Sequence, residues 1–358
     1  MQNLLLTISL SCLFGFTARG QQHISVVTKP GKVFIEQGEN KQLINMDFLC
    51  TNTSADSFLL TKITVTISDK NNKPVHSRFL DNNGTAPSIS IIPNRELNGP
   101  SSQLIFNPFT DFSASMPMEK LSYEFVFTDN KDREQKVTAI IYPEKYIQKQ
   151  AFTFPLQGRV LVYDGHDLYA HHRRFNYEFA AIKALGLSSN FMRYAYDFVL
   201  LNNNNDQFTN DGKKDEDYFG FGNAVYAIGA GKVIYASIKF KDDKTFNIPE
   251  LANNPLELYG NCIAIQHPDG SVSIYGHLKQ NSIKVKAGDQ VMAKQAIAKI
   301  GVSGSSFFPH LHFEIRTNIK SNAEGIPSYF SNIYLLEGAA KRKLKSGLAE
   351  TGNIIEAK

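Results

Sequence analysis

Short alternating runs cut by turn clusters constrain this chain most, because they suit strands and leave little room for long helices. Between Ile24 and about Tyr146, "KLSYEFVFTD" and "KVTAIIYPE" alternate apolar with polar residues, the period of a half-buried strand. "KPGK", "DKNNKP", "DNNGTAPS", "NRELNGPSS" and "TDNKDRE" separate the runs with residues that turns favour. This spacing predicts an antiparallel β-sandwich over residues 21–150. Residues 147–160 read as the connection. "RRFNYEFAAIKALGL" then puts Phe175, Phe179, Ile182 and Leu185 near one helical face, so one helix is expected there. "NNNNDQFTNDGKKDEDYFG" is a polar insertion read as a surface loop. With Gly212 as the sixth residue of a calcium loop, Gln207 and Tyr218 would hold the first and twelfth positions, which need acids. From Ala224 onward short strands return, punctuated by glycines. The Lys-rich tail over 339–358 is expected to be loosely held.

The first twenty residues differ from the rest. "LLLTISLSCLFGFTA" is an apolar run shorter than the ~20 residues a membrane span needs. Ala18 and Gly20 are small residues where a signal peptidase reads. The amino end lacks Lys and Arg, and an uncleaved anchor is the alternative. The expectation is a signal peptide over 1–20 cut after Gly20, and an exported chain: periplasmic, in the cell envelope or extracellular. Cys12 lies inside the apolar run, which disfavours a lipoprotein. Cys50 and Cys262 then remain, far apart, and are expected as buried free thiols. The net charge of +4 over 358 residues is too slight to imply nucleic acid. No later run is long and apolar enough for a transmembrane span.

The chain has nine histidines. His23 and His76 fall in the first half; the others run from His166 to His312. In "FFPHLHFEIR", His310 and His312 share one face of a strand, while Leu311 and Phe313 share the other. Two imidazoles pointing into a core need partners. A metal, or a cleft open to water, supplies them. Glu314 shares that face and is read either as support for a histidine or as a strand-edge salt bridge. Asp289 with Gly288 reads as a tight turn, and Asn261 as a turn residue or a hydrogen bond to a groove wall. His267, in "QHPDG", is expected to face solvent.

"YGHL", "V-x-x-GD-x-V" and "G-x-SG…PHLHFE" together resemble the core of the lysostaphin-type (LytM-like) zinc metallopeptidases. "FGNAVYAIGAGKVIYA" is similar to that family's "G-x-P-V-x-A-x-x-x-G-x-V". The likeness covers roughly 160–335 and none of the first 150 residues. It implies a mainly β chain: a sandwich, then a lysostaphin-type antiparallel β catalytic domain over 151–338 with a short helix. It also implies a zinc ion held by a His, an Asp and the second His of H-x-H. By that resemblance His312 is a ligand, and His277 and His310 are the catalytic pair. The family's first motif, H-x-x-x-D, is altered. Asp197 fits the Asp, but Arg193 stands four residues before it, and arginine cannot ligate zinc. The resemblance to a branch with an upstream histidine assigns the missing ligand to His172, with His171 as the alternate and His166 as a distant third. The bland alternative has these histidines capping a helix. Arg193 is expected to orient Asp197 or a substrate carboxylate.

The resemblance implies an exported zinc metalloendopeptidase that cuts peptide bonds in peptidoglycan cross-links. The sandwich would bind wall, position the enzyme or contact and cover the groove. The competing reading is a non-catalytic wall-binding module, or an activator of a wall amidase, with a degenerate metal site.

Overall fold

The computed structural model describes residues 22–84 and 88–358. The segment expected as a signal peptide lies outside the described residues. Among the described residues, no helix is long and apolar enough to cross a membrane.

The first half is built from two antiparallel sheets around one core, with a third, four-stranded sheet of Glu144–Lys145, Phe34–Gln37, Lys41–Ile44 and Asp111–Ser113 whose first pair is parallel. Ile24–Lys29, Asp47–Asn52 and Ser101–Phe106 form a three-stranded sheet. Glu134–Ile141, Lys120–Asp129, Phe58–Ser68 and Pro74–Asp81 form the second, with Glu96–Leu97 added on Phe58–Ser68. Their inner faces meet where Phe48 packs at 4.8 Å on both Tyr123 and Phe125. Alternation along Lys120–Asp129 sends Leu121, Tyr123 and Phe125 inward, as a period of two requires.

The second half centres on an eleven-stranded sheet, antiparallel throughout. Its order is Gln290–Val291, Gly231–Ser237, Cys262–Gln266, Val272–Gly276, Leu311–Arg316, Tyr196–Leu201, Gly158–Asp164, Ile354–Ala357, Ile333–Glu337 and Ala340–Lys343, with Gly325–Ile326 on Leu311–Arg316. The tail expected to hang loose is therefore part of the sheet. Ile354–Ala357 lies between Gly158–Asp164 and Ile333–Glu337, and Leu344, Leu348, Ile355 and Ala357 are buried. Local Lys-rich composition hid a strand whose partner sits almost 200 positions earlier.

The single helix shrinks to one turn, Ala180–Lys183, with no side-chain cap. Phe179 is 62% exposed, although the helical face would have buried it. His267 is 3% exposed and not solvent-facing. Its Nδ1 lies 2.9 Å from the Ala230 carbonyl and its Nε2 2.9 Å from Ser273 Oγ. Cys50 and Cys262 are free and buried, as expected; burial pushes the Cys262 thiol up to about 12.

A buried polar seam joins the halves. Arg173 Nη1 donates to Asp47 Oδ1 at 2.6 Å, its Nε to Asn45 Oδ1 at 2.7 Å and its Nη2 to the Met46 carbonyl at 2.6 Å. Arg193 Nη1 donates to the other oxygen of Asp47. Glu36 faces His166 Nδ1 at 2.6 Å and accepts from Asn45 Nδ2 at 2.8 Å.

Candidate metal centre

Four neighbouring strands bring the site together in one row. Asp197 pairs with His312 across Tyr196–Leu201 and Leu311–Arg316. Gly276 pairs with His312 on the other side, so His277 follows at the end of its strand. A bulge between Val162 and Asp164 puts Asp164 opposite Asp197. A bulge shifts which residues meet; in unbroken register Tyr163 would face Asp197. His171 and His172 enter from the turn after Gly158–Asp164.

The side chains converge on Asp197. Its Oδ1 lies 3.2 Å from His312 Nδ1, 3.4 Å from His310 Nε2 and 3.8 Å from His172 Nε2. Its Oδ2 is 4.0 Å from His171 Nε2. Asp164 stands behind both upstream histidines: its Oδ2 is 2.5 Å from His171 Nδ1 and 3.3 Å from His172 Nδ1. Both rings thus present Nε2 towards Asp197. His172 is buried and His171 exposed. Burial raises the Asp197 carboxyl, but the facing imidazoles outweigh it and hold the group well below the carboxylate range. Asp164 is likewise lowered to about 2, the adjacent His171 and His172 rings overcoming burial. Burial lowers His312, yet Asp197 and Glu314 outweigh it and raise the ring to about 9. His172 and His277 are lowered, burial being the largest cause for each.

His277 and His310 face the same cleft, their rings 4.8 Å apart. Each Nδ1 is held by a backbone carbonyl, Ser303 at 2.8 Å and Phe308 at 2.8 Å, which leaves each Nε2 for the cleft. His277 adopts φ +56°, a conformation rare outside glycine and found where a site imposes it. The cleft holds about 550 Å³, and its lining runs from Tyr163 to His312 without a sandwich residue.

Its floor depends on two glycines back to back. A Cβ on Gly304, at φ +77°, would stand 2.3 Å from Gly260 N, and a Cβ on Gly260, at φ +62°, 2.4 Å from Gly304 N. Asn261 ties the same place down, donating from its backbone N to Ser303 Oγ at 2.9 Å and from Nδ2 to the Phe240 carbonyl at 2.8 Å. Gly304→Ala meets backbone at a positive φ, so it is expected to destabilise the fold by at least ~1–2 kcal/mol. Urea unfolding of the variant checks this; an unchanged midpoint would show that the two loops can separate freely.

Two residues were misplaced and three missed by sequence reasoning. Arg193 touches Asp47, not Asp197; it belongs to the seam. His166 also serves the seam, its Nε2 3.0 Å from the Tyr194 carbonyl. Asp164 carries no motif, and only its place eight residues before His172 hinted at it. Tyr259 stacks on His312 at 4.5 Å. Arg316 Nε donates to Glu314 Oε1 at 2.7 Å and its Nη2 to Tyr259 Oη at 2.6 Å. That makes Glu314–Arg316 a fully buried pair rather than a strand-edge bridge. Glu314 Oε1 lies 3.7 Å from His312 Nε2, so the pair backs the histidine.

The donors suit a metal ion. Asp164, His171, His172 and Asp197 alone bring ligand atoms within 4.8 Å of one another. Ligands of a tetrahedral zinc at ~2.1 Å sit roughly 3.4 Å apart, near the 3.2–4.0 Å separations around Asp197. His172 Nδ1 and His312 Nε2 are buried with no well-directed hydrogen bond; a bound ion on the opposite nitrogens would fix both rings. The profile of peptidase family M23 matches residues 216–323.

The chain carries a peptidase family M23 domain.

The match includes His277, His310 and His312 but begins after Asp164, His171, His172 and Asp197. Outer membrane antigenic lipoprotein B of Haemophilus influenzae is 39% identical over 114 residues, 32% of this chain and 24% of that protein. Murein hydrolase activator NlpD of Escherichia coli is 36% identical over 100 residues, 28% of this chain and 21% of that protein. The chain thus spans about a quarter or less of the length of these relatives. The catalytic domain of lysostaphin from Staphylococcus simulans is 22% identical, covering 47% of this chain and 88% of that one at a TM-score of 0.27, too low to argue from.

Proposed function

We propose that this chain is an exported zinc-dependent endopeptidase acting on the peptide cross-links of peptidoglycan. The observation that carries the reading is the convergence of four imidazoles, those of His171, His172, His310 and His312, on Asp197, with His277 beside His310 in an open cleft. His172 Nε2, Asp197 Oδ1 and His312 Nδ1 would hold the ion, a set of two neutral nitrogens and one carboxylate that leaves a position for water and substrate. When bound, zinc supplies Lewis acidity at that point, acidifying water and polarising the scissile carbonyl.

The remaining chemistry falls to the chain's own groups. Burial and the neighbouring imidazoles keep His277 neutral, so its free nitrogen can accept a proton from the attacking water and return it to the leaving amine. His310, across the cleft, gives its Nδ1–H to the Phe308 carbonyl, so it donates from Nε2 as an imidazolium, beside the carbonyl oxygen where negative charge develops. Asp164 holds the Nδ1 sides of His171 and His172, and Glu314, braced by Arg316, backs His312. Carboxylates in this position fix tautomer and ring orientation.

His172→Ala is expected to abolish stoichiometric zinc, while His171→Ala retains it, because His172 is buried beside His312 and His171 is exposed. Asp164→Asn should weaken zinc by ~10–100-fold, the effect of losing an outer partner of a ligating histidine. Elemental analysis and competition with a chromophoric chelator measure both. Zinc lost from His171→Ala and kept by His172→Ala would exchange the two assignments.

A second reading, an activator of wall amidases, draws on one observation: a relative named as a murein hydrolase activator is 36% identical over 100 residues of this chain. Purified sacculi separate the two. The zinc-loaded chain should release peptide amines from sacculi in a chelator-sensitive way. A metal-free protein that binds sacculi, releases nothing and stimulates an added amidase would replace the peptidase reading.

A further inference from the structure

A second hollow lies on the seam between the halves, and nothing described so far uses it. It holds about 290 Å³. Ile91, Ile92, Leu104 and Phe106 of the sandwich form one wall; Tyr169 and His171 of the M23 half form the other. His171 also lines the catalytic cleft, so the two spaces meet at one imidazole. Ile91 is 61% and Tyr169 78% exposed, leaving large apolar groups open at the mouth. Arg174 stands on the rim, exposed, with Nη2 donating to the Tyr169 carbonyl at 3.0 Å. The Arg173–Asp47–Arg193 contacts fix the spacing of the two walls, since Arg173 and Arg174 are consecutive.

We infer that this hollow is an extended substrate subsite that takes an apolar side chain of the peptide bound in the cleft, with a peptide carboxylate facing Arg174. The inference rests on the peptide-hydrolase reading and deepens it. An extended peptide sends successive side chains to opposite sides, so a chain passing His171 on leaving the cleft turns one of them towards the sandwich wall. The volume stands at the lower end of ligand pockets, ~300 Å³, and has room for one side chain of a larger ligand. Apolar walls with one cation on the rim select an apolar residue next to a carboxylate. The sandwich is then a wall of the substrate groove, distant from the reacting bond. Contacts made equally in ground and transition states appear in KM and not in kcat.

The test uses the full chain loaded with zinc and, as probe, the cross-linked tetrapeptide dimer isolated from diaminopimelate-type peptidoglycan. Dissociation constants are read by calorimetry in the His310→Ala background, so that the probe survives, and KM and kcat in the wild-type background. Ile91→Asp and Arg174→Gln should each raise Kd and KM about tenfold, the scale of one lost apolar contact or charge-assisted hydrogen bond, with kcat unchanged. Tyr169→Ala, also at an exposed position, is the second apolar variant should Ile91→Asp alter the melting temperature. Binding that is unchanged in these variants, or undetectable in the His310→Ala background alone, overturns the subsite. So does equal binding of peptide-free glycan with the same dependence on Ile91. A dimer that binds through Ile91 and Arg174 but is never cleaved by the wild-type chain removes the hydrolase reading and leaves the subsite standing.

Discussion

Asp47→Asn is expected to lower the stability of the whole chain by ~3–5 kcal/mol, the cost of breaking a buried ion pair from one side. Asp47, Arg173 and Arg193 all have fully buried side chains. Each arginine takes one oxygen of the same carboxylate, so a single substitution strands two guanidinium groups in the interior. Arg193 has most to lose, because its Nε and Nη2 are already buried without a hydrogen-bond partner. Urea unfolding followed by fluorescence and circular dichroism measures the effect. The two halves should also separate into two transitions, since the seam is the fully buried ionic contact between them, the Lys41–Glu350 and Glu39–Arg342 pairs being partly exposed. A loss under 1 kcal/mol with one transition retained would mean that other contacts hold the halves together. Replacing the charges together, as Asp47→Leu with Arg193→Met, should recover part of the loss, as apolar replacement of buried charge clusters often does.

Asp197→Ala should take zinc from about one ion per chain to an undetectable level and reduce peptide release from sacculi by ~10³-fold or more, several kcal/mol at 1.36 kcal/mol per tenfold. The carboxylate is the point that four imidazole nitrogens face, so no neighbour replaces it. His310→Ala is the contrast. Its Nδ1 is spent on the Phe308 carbonyl and its ring faces the cleft, so the variant should keep its zinc and lose ~10²–10⁴-fold in rate, the range for a positioned acid–base group. Elemental analysis beside initial rates distinguishes the two variants. Equal zinc in Asp197→Ala and the wild-type chain would remove the proposed centre.

The seam also gives the arginine four places before Asp197 its partner. With the sandwich docked against this side of the sheet, the residue four places before Asp197 points at Asp47. A cation there neutralises a buried carboxylate. His171 and His172 reach Asp197 from the turn after Gly158–Asp164, with Asp164 behind both rings. The lining of the cleft holds no sandwich residue.

Much of this was legible from the residues in order. Alternating runs and turn clusters require sheets whatever their neighbours, because a period of two buries one face of a strand and no helix. His310 and His312 had to share a face, and the likeness around "YGHL" and "PHLHFE" marked His277 with them. Three things were decided only by folding. The bulge after Val162 turned Asp164 towards His171 and His172, and a one-residue shift leaves no mark in composition. The pairing of Ile354–Ala357 with Gly158–Asp164 made a Lys-rich tail into an interior strand. The docking of the sandwich gave Arg193 its partner. In each case the deciding contact joins residues far apart in the chain or depends on register, and local sequence carries the preferences of a segment but not the identity of what it will meet.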